Sequence, residues 1–109
     1  MDEISYEKSS GNMFADMGFS PAEVEELTIK SALINAIDAT IKERKLTQKA
    51  AAGLCDTDQP TLSKVLRGRM ESVTIDRLTA WLMALGRTVE IRVRPYDRTA
   101  KVGHLVMTP

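Results

Sequence analysis

The chain has 109 residues, 43% hydrophobic and 28% charged, with fifteen basic and fifteen acidic side chains, which is the size and balance of one domain with a modest core. No run of roughly 18 apolar residues and no basic-plus-apolar leader is present, so the expectation is a cytoplasmic protein without a membrane span. The zero net charge hides a gradient: residues 1–27 hold one basic and seven acidic side chains, residues 28–69 eight and four, and residues 70–109 six and four.

The acidic leading stretch, residues 1–19, reads as an arm. Met1 to Gly11 is polar and aperiodic, and its charge suits either a basic partner protein or plain solvation. Asn12 to Met17 has the makings of one helical turn ended by Gly18. Ser20-Pro21-Ala22-Glu23 then reads as a capping box with proline inside the first turn. From there Val24, Leu27, Ile34, Ile37 and Ile41 recur at helical spacing to about Arg44, as one long helix or as two with a bend near Lys30-Ser31.

Residues 47–67 describe two short helices joined by a tight turn, the helix-turn-helix arrangement for reading DNA. Thr47 is placed to cap a helix over Gln48 to Cys55, and Asp58 a second over Gln59 to Arg67. Between them Asp56 tolerates the left-handed backbone such a turn often uses. Ala51, Leu54 and Cys55 form one inward face, and Leu62, Val65 and Leu66 the other. Cys55 is the sole cysteine, makes no internal disulfide, and reads as a small core residue.

Beyond Gly68 a loop leads to Thr74, a cap for an amphipathic helix carrying Ile75, Leu78, Leu82 and Leu85 and stopped by Gly86. Trp81 reads as core or interface filler. Residues 20–86 are thus expected to form a helical domain, with 87–109 as strand and tail. In that tail Thr88 to Arg94 alternates, with Val89, Ile91 and Val93 on one face, as a strand does. One strand needs a partner edge. Residues 102–107 offer one; the same strand of a second copy, across a two-fold axis, explains more and makes Val89, Ile91 and Val93 dimerisation residues; a strand of another protein remains open.

Residues Leu46-Thr47-Gln48, Ala52, Leu54, Gln59-Pro60-Thr61-Leu62-Ser63 and Arg67-Gly68-Arg69 together resemble the Xre or Cro/phage-repressor family of helix-turn-helix proteins. The surrounding chain, from Phe14-Ala15-Asp16-Met17-Gly18-Phe19 to Val89 through Pro95, resembles its HigA-type antitoxin branch. Asp56 stands where the family usually has glycine, and Ala51 where a larger aliphatic is common; both are expected to cost stability more than function. The resemblance implies a mainly α fold: a lambda-repressor-like bundle of about five helices, here with a C-terminal β-strand used in dimerisation.

In that reading the second motif helix enters the major groove, where each base pair shows a distinct donor and acceptor pattern. Gln59, whose amide suits adenine, is the first candidate for base contact, at a position where the resemblance implies one. Thr61, Ser63 and Lys64 follow, and Pro60 is suited to a thymine methyl. Gln48, Arg67 and Arg69 are candidates for phosphate contact, which sets affinity and register rather than sequence.

An enzyme is not expected. The chain has one histidine, His104, and lacks a glycine-rich phosphate loop, a zinc-spaced cluster and a nucleophile elbow; neither cofactor nor metal is implied. The expected function is a homodimeric repressor on palindromic double-stranded DNA. The resemblance implies an antitoxin that binds a small basic toxin and represses its own operon; a free-standing repressor is the alternative.

Overall fold

A computed structural model describes residues 16–108. Among them lie four helices: α1 (Pro21–Glu43), α2 (Gln48–Leu54), α3 (Gln59–Leu66) and α4 (Ile75–Ala84). α1 begins with the capping box: the Ser20 hydroxyl accepts from the Glu23 N–H at 3.2 Å, and the Glu23 carboxylate accepts from the Ser20 N–H at 2.8 Å. It runs unbroken past Lys30-Ser31. Thr47, Asp58 and Thr74 cap the other three helices, each accepting from the backbone N–H three residues on.

All four helices end in one way. A residue in the left-handed region follows the C-cap, and its N–H and the next one bond back to the last turn. The pairs are Lys45 to Lys42 with Leu46 to Ile41, Asp56 to Gly53 with Thr57 to Ala52, Gly68 to Val65 with Arg69 to Lys64, and Gly86 to Met83 with Arg87 to Leu82. Gly68 and Gly86 suit the task, with φ of +100° and +97°; Lys45 and Asp56 do it with side chains, both at φ 56°. These stops make the turns between helices tight enough for α2 and α3 to form a motif.

The core is one cluster. Ile37, Leu62, Leu78 and Leu85 are its largest fully buried side chains, joined by Ile29, Leu33, Ile34, Ile41, Ala51, Ala52, Cys55, Val65, Val73, Trp81 and Leu82. α1 packs most extensively on α4, and α2 on α3. The far ends of α1 and α4 are tied by the Arg44 guanidinium, which donates to the Leu85 carbonyl at 2.9 Å, and by an Arg87–Glu43 pair at 3.7 Å. Trp81 is core, and Arg77 lies 5.6 Å above its ring.

Three sequence expectations change. The strand over Thr88 to Arg94 is not formed, and the described residues contain no strand. Alternation supplies a face, but a strand persists only where another edge takes its N–H and C=O groups. Here Ile91 and Val93 stand 86% and 89% exposed. The chain turns back at Asp97, whose carboxylate accepts from the Thr99 N–H at 2.9 Å and the Thr99 hydroxyl at 2.7 Å. The returning segment meets α1 instead: Glu25 accepts from the Leu105 N–H at 2.8 Å and faces His104 Nδ1 at 2.6 Å. Val89 and Met107 touch the core's rim.

The bundle of about five helices becomes four among the described residues; most of the turn expected at residues 12–17 lies outside them. Leu54 does not face inward but is half exposed, and Ala52 takes its place. At about 100° per residue, a face centred between Ala51, Ala52 and Cys55 leaves Leu54 on the flank.

Candidate nucleic-acid interface

α3 is held from behind and open in front. Leu62 and Val65 are buried, Leu66 packs at the rim, and Gln59, Pro60, Lys64 and Arg67 are exposed, with Thr61 and Ser63 half-buried beside them. Pro60 sits in the first turn, where its missing N–H costs nothing. The Asp58 carboxylate seals that turn, accepting from the Thr61 N–H at 2.7 Å. Hydrogen bonding from Thr61, then the positive charges of Lys64 and Arg77, hold Asp58 below the ordinary aspartate range.

One turn further on, the Arg67 guanidinium donates to the Ser63 hydroxyl at 2.9 Å. A candidate phosphate ligand and a candidate base reader are therefore coupled on one face. Gln48 lies exposed in the first turn of α2, behind the Thr47 cap, and Arg69 lies exposed one residue past Gly68. The expected DNA-facing residues thus fall on two neighbouring helices and the loop that leaves α3. Val89, Ile91 and Val93 fall on the separate C-terminal segment, where Val89 is half-buried.

The structure adds two residues that sequence reading missed. Thr61, Lys64, Ser72 and Arg77 rim a cleft of about 160 Å³ whose floor is Val65, Val73 and Trp81. Arg77 comes from α4, and its stacking on Trp81 fixes a cation beside the recognition helix. The Arg77–Trp81 spacing of four residues was the available signal, since that spacing joins side chains on one helix face. A cleft with two cations and two hydroxyls suits a phosphate oxygen.

Cys55, the cysteine of the motif, is buried. The Cys55 thiol donates to the Trp81 carbonyl at 3.7 Å, and burial pushes its pKa up, away from the reactive thiolate. Among the described residues, no group of three or more His, Cys, Asp or Glu side chains is placed to hold a metal, and no helix is long and apolar enough to cross a membrane.

Two capped helices joined by a left-handed turn, the second presenting a polar open face, define a helix-turn-helix module. The family model for a helix-turn-helix domain matches residues 13–94. A solved structure described as an XRE-family transcriptional regulator is 30% identical, with a TM-score of 0.71, and the alignment covers 80% of this chain and 98% of that one. No curated protein matches the chain. The chain belongs to the XRE family of helix-turn-helix, DNA-binding transcription regulators.

Proposed function

We propose that the protein is a cytoplasmic repressor that reads a palindromic operator through α3, with Gln59 as principal base reader and Pro60, Thr61, Ser63 and Lys64 as its neighbours. Gln48, Arg67 and Arg69 hold the phosphate backbone. The observation that carries this reading is the open polar face of α3 set on a buried Leu62–Val65 back. A Gln amide pairs bidentately with adenine, and such contacts discriminate by roughly 1–3 kcal/mol each.

The protein acts as a homodimer, because a two-fold axis brings two motifs to half-sites about 34 Å apart. Ile91 and Val93, apolar and almost fully exposed, are available for that contact, whereas Val89 is partly occupied by the chain's own core. Its biological role is the antitoxin of a toxin–antitoxin pair, binding a small basic toxin and repressing the shared operon. Support comes from the excess of acid in residues 1–27, from the capped helix that begins at Pro21 and from the resemblance; the C-terminal strand, which would also have favoured this role, is not formed. The alternative, a free-standing repressor, draws support from the solved relative, described as an XRE-family transcriptional regulator.

The test is co-expression with the adjacent reading frame, capture on a tag on this protein, and sizing of the eluate. A small basic partner whose toxicity this chain relieves supports the antitoxin. A homodimer eluting without one supports the free-standing repressor.

A further inference from the structure

We propose that Lys30, a residue of α1 remote in sequence from the motif, positions the loop that leaves the recognition helix. Its side chain is only 7% exposed, and its Nζ lies 3.0 Å from Glu26 Oε2 and donates to the Met70 carbonyl at 3.2 Å. Burying an ammonium is costly unless its partners are well placed, and replacing a buried ion by an apolar side chain of similar volume is often neutral or stabilising. A buried ion here therefore serves conformation rather than cohesion.

What it fixes is the loop from Gly68 to Val73. The Met70 carbonyl receives two donors, Lys30 Nζ and the Val73 N–H at 3.4 Å. Val73 is 3% exposed, so it anchors the far end of the loop in the core, while the bonds of Gly68 and Arg69 to the last turn of α3 anchor the near end. Arg69 and Ser72 are exposed between those anchors. Lys30 thereby sets where they stand relative to α3. This role rests on the reading of Arg69 as a phosphate ligand.

The test combines NMR exchange with DNA titration on the full chain. In the wild type, the Lys30 ammonium protons exchange markedly more slowly than those of Lys42, whose side chain is 76% exposed; equal rates overturn the proposal whatever the variants do. In Lys30→Met the Val73 amide exchanges about tenfold faster while the Leu62 amide is unchanged. Affinity for random duplex then falls about fivefold, and the salt slope becomes shallower by about 0.9, the value of one phosphate contact. Lys30→Gln, whose shorter side chain stops short of Met70, gives the same reading where the methionine variant does not fold.

Arg69→Ala separates the two levels. A folded Lys30→Met protein with wild-type Val73 exchange and salt slope, beside an Arg69→Ala protein with a reduced slope, overturns the role of Lys30. An unchanged slope in Arg69→Ala overturns the phosphate reading, while faster Val73 exchange in Lys30→Met would still show that Lys30 holds the loop.

Discussion

The Arg67 guanidinium donates to the Ser63 hydroxyl across one turn of α3 at 2.9 Å. The bond restrains a long cation that would otherwise sample many rotamers, and it leaves other guanidinium N–H groups for a phosphate. Arg67→Ala is therefore expected to weaken binding to specific and random duplexes alike, by about tenfold, and to flatten the salt slope by about 0.9. Gln59→Ala is expected to weaken only the specific duplex, by 1–3 kcal/mol. Titrations over a salt series measure both; equal losses on both duplexes for both variants would refute the division of labour.

Asp58 puts a carboxylate at the tip of α3, where it caps the Thr61 N–H and, on the proposed docking, would repel nearby DNA phosphates. Asparagine caps a helix about as well as aspartate. Asp58→Asn is expected to leave the urea midpoint nearly unchanged and to tighten random-duplex binding by about two- to fivefold. Unchanged or weaker binding would mean that the tip of α3 stays clear of the phosphates.

Lys45 and Asp56 carry the left-handed backbone that Gly68 and Gly86 carry elsewhere in the fold. For a side chain that conformation costs roughly 1–2 kcal/mol, less for aspartate, and glycine recovers part of it against its own greater unfolded-state entropy. Lys45→Gly is expected to stabilise the protein by about 1 kcal/mol and Asp56→Gly by less, with DNA affinity unchanged in both. Equilibrium urea unfolding measures this, and a lower midpoint for Lys45→Gly would contradict it.

Glu25 is held below the ordinary glutamate range first by the Leu105 N–H and then by His104, and hydrogen bonds likewise depress Asp58, Asp76 and Asp97. A depressed folded value means that the unfolded chain takes up protons first. The resulting stability is complete above the ordinary values, about 3.9 for Asp and 4.3 for Glu, and is lost as pH falls through the lower folded ones. The urea midpoint should therefore decline below about pH 4. Glu25→Ala, which removes the acceptor, should remove protection of the Leu105 amide at neutral pH; persistent protection would mean that core packing such as that of Met107 holds the tail.

Much of the motif was legible because its determinants are local. Ser20, Thr47, Asp58 and Thr74 each bond within three residues, and Leu62 and Val65 follow the helical period. The outward residues of α3 could be named from the same period. What escaped was non-local. Lys30 meets Met70 forty residues away, and Arg77 reaches the recognition helix from α4. The tail misled for a related reason: the alternation of Val89, Ile91 and Val93 is a property of the segment, whereas a strand is a property of a pair. Leu54 was misplaced because Ala51 and Ala52 are both buried, which turns the inward face of α2 away from it.

The central claim, that α3 reads a specific sequence, is tested most directly by footprinting this protein on the DNA upstream of its own reading frame, beside a scrambled duplex of equal length. The account predicts two protected half-sites with centres about one helical turn, roughly 34 Å, apart, and no ordered protection on the scrambled DNA. Equal, featureless protection of both would contradict it, leaving a protein that grips the phosphate backbone without reading the bases.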